Sequence, residues 1–147
     1  MNIPKELSSM FSVDDFAEYP LVRVPQFFED DRGTISNIAD GELGDVAVIT
    51  SEKNAVRANH VHEQDWHLSY LVNGSMNYIW KGENGIEESL LVLPGQMIYS
   101  PPGIPHKMVF REKSTFIAVA AKCRSSENYE EDTRRLPVDF FKNNEFL

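Results

Sequence analysis

Short apolar or alternating runs, each ended by a turn signal, occupy most of this 147-residue chain. Signals such as Asp40-Gly41, Pro94-Gly95 and Pro101-Pro102-Gly103 separate the runs. Many short strands at such spacing form a sandwich or a closed barrel, so we predict an all-β fold. The predicted strands cover 21–28, 34–38, 46–50, 55–59, 66–72, 75–80, 86–93, 97–100, 107–110 and 115–123.

The chain is long enough for one domain with a buried core, and its ends differ in character from its middle. We expect residues 1–19 to form an arm with one or two helical turns and residues 20–126 to form the barrel. Residues 127–147 form a charged tail that carries aromatic side chains, among them Phe140, Phe141 and Phe146. Because these rings need cover, we expect the tail to pack on the barrel or on a partner subunit.

Composition and charge narrow the classes of partner. The chain is 41% hydrophobic and 11% aromatic, as a folded protein is, and its net charge is −9. That charge argues against binding to nucleic acid or to an anionic membrane, although it is compatible with a small anionic substrate. The start lacks the features of a signal peptide, and no apolar run approaches the ~20 residues of a membrane span. We therefore expect a cytoplasmic protein.

The single cysteine, Cys123, permits no internal disulfide, which agrees with a reducing compartment. It follows small apolar residues at strand spacing, so we expect a buried structural thiol.

The four histidines are candidates for one shared site. His60 and His62 project to the same face of an extended segment. His67 has the opposite parity, so residues 63–65 must bend the chain to bring it to that face. His106 follows the turn residues of Pro101-Pro102-Gly103. The alternative is that each histidine is an ordinary polar residue satisfied by hydrogen bonds.

The dipeptide Asn73-Gly74 predicts a two-residue hairpin turn between strands 66–72 and 75–80. One face of this hairpin would form the wall of a pocket. The expected register pairs Leu71 with Met76, Ser69 with Tyr78 and His67 with Trp80.

Several neutral imidazoles around one point suit Zn, Fe, Ni or Cu, whereas Mg or Ca would call for oxygen ligands. Three or four of them leave a coordination position open for water or substrate, as in a catalytic site. Histidines can also act without a metal, as acid and base. Both interpretations stay open from the residues alone.

The spacing of these residues resembles that of the cupin superfamily. The first cupin motif is matched by His60-x-His62 and by His67, five residues later, and the second by Pro101-x-Gly103-x-x-His106. The resemblance implies a double-stranded β-helix, a jelly-roll-like barrel, with short helical or irregular ends. It also implies that His60, His62, His67 and His106 bind a divalent transition metal. His67 stands where the family usually has Glu, which favours Zn, Fe, Ni or Cu over Mn.

A narrower resemblance is to RmlC-like cupins that act on nucleotide-linked deoxysugars. Asp31-Arg32-Gly33 is similar to a segment of the dTDP-sugar 3,5-epimerases, and Arg57-x-x-His60-x-His62 with His67 to a segment of the 3,4-ketoisomerases. The acidic segment 127–132, which contains Tyr129, is similar to the tail of those isomerases. Ala58 and Leu68 depart from the pattern.

The resemblance implies acid–base isomerisation or epimerisation next to a ketone. In that chemistry His60 or His62 is the base, and Arg57 holds the diphosphate or the developing enolate oxygen. Tyr78 and Tyr99 are candidate proton donors, with wall packing as the alternative for both. Two further candidates contact the substrate: Trp80, by stacking on a sugar or a base, and Ser69, from the pocket wall.

Two other functions stay open, a metal-dependent oxygenase or lyase and a cupin that binds a ligand without catalysis. We also expect a homodimer, because Leu68, Tyr70 and Val72 face away from the pocket and could pair two sheets.

Overall fold

The computed structural model describes residues 3–125 and 127–142, apart from the side chains of residues 26 and 128. These residues form two five-stranded antiparallel sheets and a separate two-stranded ribbon. The elements are the 3₁₀ helix Val13–Phe16, the strands β1 Leu21–Val22, β2 Gln26–Asp30, β3 Gly33–Asn37, β4 Asp45–Ser51, β5 Val56–His62, β6 His67–Asn73, β7 Met76–Lys81, β8 Glu87–Val92, β9 Met97–Ser100, β10 His106–Phe110, β11 Ser114–Ala120 and β12 Thr133–Arg135, and the helix α1 Glu127–Asp132.

Sheet one has the strand order β1-β9-β6-β11-β4, and sheet two has the order β12-β5-β10-β7-β8. The two sheets face each other across a core to which alternate residues of their strands contribute. This architecture is the expected all-β sandwich or barrel, and the predicted strands match it closely. The members of the central core cluster are Leu71, Met76, Tyr78, Trp80, Val92, Ile98, Met108, Phe110, Phe116 and Ala118.

The hairpin prediction at Asn73-Gly74 is wrong. Strands β6 and β7 lie in different sheets, so the turn carries the chain from one sheet to the other. The cross-strand pairs expected for this hairpin are therefore absent from the pairing of these described strands. The reason is that β6 uses its two edges for β9 and β11, and β7 uses its two edges for β8 and β10. The inward face was nonetheless assigned correctly: Leu71, Met76, Tyr78 and Trp80 belong to the central core cluster, and His67 and Ser69 line a cavity between the sheets.

The amino-terminal arm covers much of the outer face of sheet one. Leu7, Phe11 and Phe16 pack against Leu68 and Val119 in a second buried cluster. Leu68 is therefore fully buried within its own chain, which corrects its expected place in a dimer interface. Val72 on the same strand stays exposed.

The outer face of sheet two is covered from the other end of the chain. Phe141 is fully buried and packs against Ile79 and Val109, and Leu136 and Phe140 pack beside them. The ammonium groups of Lys81 and Lys107 lie over the rings of Phe140 and Phe141. Phe146 of the expected tail lies outside the described residues.

Cys123 is exposed, so the expectation of a buried thiol is wrong. Strand β11 ends at Ala120, three residues before the cysteine. The Cys123 sulfur lies 2.9 Å from Ser125 Oγ. Within residues 3–125 and 127–142 no helix has the length and apolar character needed to cross a membrane.

Candidate active site

Strand β5 carries three of the residues that face the interior, and a bulge makes this possible. Arg57 and His60 are three residues apart, so a regular strand would send them to opposite faces. Ala58 and Asn59 have φ of 62° and 55°, and the pairing with β10 shifts register at this point. The bulge resets the alternation, so that Arg57, His60 and His62 share one face.

His106 comes to the same place from strand β10. It pairs with His60 on one side and with Trp80 on the other. Its Nδ1 lies 3.0 Å from the carbonyl oxygen of Ile104. Because a carbonyl only accepts, Nδ1 of His106 carries the hydrogen and its Nε2 keeps a lone pair.

A cavity of about 300 Å³ lies beside these side chains, between the two sheets. His60, His67 and His106 lie on its wall together with Ser69 and apolar residues of both sheets. Three arginines, Arg57, Arg124 and Arg135, also line it. The arginines give this part of an acidic protein the means to bind an anion.

The histidine rings are in mutual contact. The ring centroid of His60 is 4.4 Å from that of His62 and 4.8 Å from that of His106. One nitrogen from each of these three residues lies within 4.8 Å of the others. His60 Nδ1 and His62 Nε2 are buried without a hydrogen-bond partner among the described residues. Unpartnered buried nitrogens are what a metal ion or a substrate proton would satisfy.

Burial keeps these imidazoles neutral. Burial, together with the proximity of neighbouring histidines, lowers the pKa of His62 to about 4 and that of His106 to about 3. Burial, followed by the proximity of His106 and His62, lowers the pKa of His60 to about 2. Near neutral pH all three therefore offer lone pairs, either to a metal or to a proton.

His67 has a different environment. Its Nε2 lies 3.1 Å from Oδ2 of Asp65, a carboxylate that is fully buried. The other oxygen of Asp65 accepts hydrogen bonds from the backbone N–H groups of Trp66, Ala121 and Lys122. Burial raises the pKa of Asp65, but the hydrogen bond from His67, the proximity of His67 and His62 and the backbone N–H of Lys122 hold it below the ordinary value. Asp65 is thus an ionised carboxylate aimed at His67.

The four histidines therefore divide into two overlapping groups, His60–His62–His106 and His62–Asp65–His67. The expected four-histidine set is brought together in space, since the ring centroids of His62 and His67 are 4.4 Å apart. Asp65 is a member that sequence reasoning missed. The signal for it was weak, because a polar residue in a predicted bend is ordinarily exposed.

The segment after the barrel supplies further residues that were missed. The Tyr129 ring is stacked on His67 at 6.4 Å, and Thr133 Oγ1 lies 3.2 Å from His62 Nδ1. Tyr129, Glu130, Thr133 and Arg135 all line the cavity. A three-residue strand such as β12 is too short to show a periodic pattern, so its place beside β5 could not be foreseen.

The other expected site residues are placed as follows. Arg57 and Ser69 line the cavity. Tyr78 is fully buried, is stacked on His106 at 5.8 Å, and shares a hydrogen bond of 2.8 Å with Ser100. Trp80 packs in the core between Tyr19 and Tyr78 and borders a separate cleft. Tyr99 points out of sheet one against Phe16, so the structure does not bring it to the histidines.

No family model matches the chain, and no curated protein sequence matches it. Solved structures with a similar fold do exist. The 3,4-ketoisomerase QdtA from Thermoanaerobacterium thermosaccharolyticum, in complex with TDP-4-keto-6-deoxyglucose, is 20% identical with a TM-score of 0.61, over 75% of this chain and 82% of that chain. A 3,4-ketoisomerase from Helicobacter canadensis is 15% identical with a TM-score of 0.64, over 80% and 90% of the two chains.

The capsular polysaccharide assembling protein CapF from Staphylococcus aureus is 22% identical with a TM-score of 0.58, over 86% of this chain and 37% of that chain. These likenesses extend over most of the present chain, and the similar proteins include sugar 3,4-ketoisomerases of RmlC-like cupin architecture. The chain has the RmlC-like cupin fold.

Proposed function

We propose that the protein is an isomerase of a nucleotide-linked keto-deoxysugar that works by histidine acid–base chemistry. The observation that carries the proposal is the buried, unpartnered Nε2 of His62 beside a cavity that three arginines line. Similarity to structures of sugar 3,4-ketoisomerases supports it, one of them a complex with TDP-4-keto-6-deoxyglucose.

The proposed reaction needs no net oxidation. A 4-keto group acidifies the hydrogen on C3, and His62 accepts that proton on Nε2 as the C3–H electron pair forms an enediolate. A proton added to C4 and transfer of the hydroxyl proton from O3 to O4 then give the 3-keto sugar. Atoms and electrons balance within the substrate, since the proton removed at one carbon is replaced at its neighbour.

Other residues of the cavity have supporting roles in this proposal. Arg57 donates from Nε to Ser51 Oγ at 2.7 Å and from Nη2 to the Thr50 carbonyl at 2.8 Å, both neutral acceptors. Its charge is therefore available to a diphosphate or an enolate oxygen. Tyr129 replaces Tyr99 as the proposed phenolic proton donor, because its ring lines the cavity and lies over His67.

A second candidate is a metal-dependent enzyme acting on a small organic substrate, and the His60–His62–His106 group favours it. These residues fit Zn, Fe, Ni or Cu because each can present a neutral imidazole nitrogen. A bound metal would supply Lewis acidity at a substrate carbonyl. The Nε2 lone pair of His62 cannot bind a metal and accept a proton at the same time. The two candidate functions therefore exclude each other at this nitrogen.

Isotope exchange tests the first candidate. We expect the full-length protein to convert TDP-4-keto-6-deoxyglucose in D₂O to an isomer with deuterium on carbon, observed by NMR and mass spectrometry. His62→Asn should abolish both isomerisation and exchange. Arg57→Gln should raise KM, whereas Arg134→Gln, an exposed neighbour on β12, should leave it unchanged. No exchange in the parent protein would refute the proposal for this sugar.

Elemental analysis separates the two candidates. The protein is purified without an affinity tag or chelator, and His62→Ala is analysed beside it. About one equivalent of Zn, Fe, Ni or Cu in the parent and none in the variant would favour the metal-dependent enzyme. A folded metal-free parent that catalyses exchange would establish acid–base isomerisation. Saturable sugar-nucleotide binding without turnover would indicate a non-catalytic protein.

The homodimer and the cytoplasmic location stay predictions.

A further inference from the structure

The side chain of Thr133 lies against the buried nitrogen of His62. Strand β12 pairs antiparallel with β5, and this register places Thr133 opposite His62. The Thr133 hydroxyl oxygen is 3.2 Å from His62 Nδ1 and 2.9 Å from the carbonyl oxygen of Tyr129. Two hydrogen bonds therefore meet at one hydroxyl group.

The number of hydrogens fixes the direction of both bonds. A threonine hydroxyl has one hydrogen to donate and lone pairs with which to accept. The Tyr129 carbonyl can only accept, so the hydroxyl gives its hydrogen to that carbonyl. The contact with His62 is then a hydrogen bond only if Nδ1 carries a hydrogen. A neutral imidazole has a single N–H, so Nε2 keeps its lone pair.

The surroundings of the ring favour the same arrangement. Oδ2 of Asp132 lies 3.9 Å from His62 Nδ1, too far for a hydrogen bond but close enough to favour a hydrogen at Nδ1 over a lone pair. Nε2 is buried without a partner among the described residues. The other tautomer would face the carboxylate with a lone pair and would bury an unpaired N–H at Nε2.

We infer that Thr133 is a positioning residue that holds His62 as the Nδ1–H tautomer and so presents the Nε2 lone pair to the reacting group. The consequence for turnover rests on the proposed isomerase function, whereas the tautomer itself does not. The short segment after the barrel would thus set the chemistry of a residue inside it.

The test is imidazole nitrogen NMR on ¹⁵N-labelled full-length protein, treated with EDTA, at pH 8. We expect His62 in the parent to show a protonated Nδ1 and an unprotonated Nε2. Thr133→Val should shift the ratio of tautomers toward Nε2–H by about tenfold, the change that loss of one hydrogen bond produces. Thr133→Ser keeps the hydroxyl and should keep the parent pattern. The His62 signals are assigned by their loss in His62→Asn.

His106 is the internal reference in every spectrum, because its Nδ1–H donates to the Ile104 carbonyl, which neither substitution touches. A parent protein with His62 as the Nε2–H tautomer would overturn the inference. So would an unchanged His62 in Thr133→Val while the His106 signals are intact. If the valine variant does not fold, Thr133→Ala takes its place.

Turnover provides the second readout. With TDP-4-keto-6-deoxyglucose, Thr133→Val should lower kcat about tenfold and change KM little, and Thr133→Ser should restore kcat. A purely structural role of Thr133 would not lower kcat at an almost constant KM together with the tautomer change. If the parent does not convert the sugar, the proposed function fails for this sugar, while the spectra still decide the role of Thr133.

Discussion

Three of the four histidines of this chain are chemically distinct because each of their rings has a different partner behind it. His106 donates from Nδ1 to a carbonyl, His62 contacts a hydroxyl, and His67 is held by a carboxylate. Their spacing in the sequence brings them together, but these partners decide which nitrogen of each ring stays available. Such partners come from loops and from the segment after the barrel, where sequence patterns are least informative.

Asp65→Asn tests the partner of His67. The substitution keeps one oxygen for the three backbone donors but puts an NH₂ group where His67 Nε2 needs an acceptor. We expect the free energy of unfolding to fall by about 1–3 kcal/mol and His67 to change to the Nδ1–H tautomer. Urea unfolding and nitrogen NMR measure the two effects. Asp30→Asn, which removes an exposed pair with Arg32, is the control and should change neither.

Stability should depend on pH through the buried histidines. In the unfolded chain histidine binds a proton below about pH 6.5, whereas burial lowers the folded pKa of His62 to about 4 and of His106 to about 3. The unfolded state therefore binds more protons between these values, and stability falls as the pH falls. We expect the free energy of unfolding of EDTA-treated protein to drop by at least about 2 kcal/mol from pH 7 to pH 5.

Urea unfolding at several pH values measures this dependence. His62→Gln removes one of the titrating groups and should make the dependence shallower. A free energy of unfolding that stays constant from pH 7 to pH 5 would contradict the assignment of the histidines as buried and neutral.

At the scale of elements, alternation and turn residues were sufficient to locate most strands. They could not say which strands pair, because pairing depends on partners distant in the chain. The Asn73-Gly74 turn shows the difference: its flanking strands were identified and their inward faces assigned, yet the strands belong to different sheets. The bulge at Ala58 and Asn59 was likewise invisible, since neither residue type by itself requires a left-handed conformation.

Gly74→Ala tests the connection between the sheets. Gly74 has φ of 89°, and an added Cβ would lie 2.7 Å from Cα of Ser114, whose Oγ accepts from the Ser75 N–H. We expect the free energy of unfolding to fall by about 3 kcal/mol or more, because the backbone strain and the steric clash add together. Gly85→Ala is the matched control, because Gly85 has φ of 74° and open space around it. It should cost only about 1–2 kcal/mol.

Chemical unfolding of the two glycine variants gives the comparison directly. Equal losses would mean that the approach of Ser114 to Gly74 contributes nothing, and that the turn is constrained by its dihedral angles alone.

At the scale of the whole molecule, the barrel depends on both ends of the chain. The arm covers the outer face of sheet one through Leu7 and Phe11, and Phe141 covers the outer face of sheet two. The segment between the barrel and Phe141 also brings Tyr129 and Thr133 to the cavity. Packing of the carboxyl-terminal segment and completion of the candidate site are therefore physically linked.

The cover is incomplete, and this bears on the expected homodimer. The ribbon of β2 and β3 pairs with itself in the described part of the chain, yet exposes Phe28 and Ile35, a cross-strand pair on one face. Val46 and Val48 are exposed on β4, the edge strand of sheet one. Two-stranded ribbons are marginal alone, and monomers rarely leave large apolar surfaces uncovered. A two-fold contact with a second copy of the chain is the usual way to cover such a surface.

We therefore expect sedimentation velocity to show a dimer at micromolar concentration. The double substitution Phe28→Ser and Ile35→Ser should shift the protein to monomer without unfolding the barrel, because both side chains already lie in solvent within one chain. Val138→Ser, which changes an apolar residue that is 90% exposed away from the ribbon and from β4, is the control and should leave the dimer intact. A parent protein that sediments as a monomer would refute the dimer, and a dimer that survives the double substitution would place its interface elsewhere than on the ribbon.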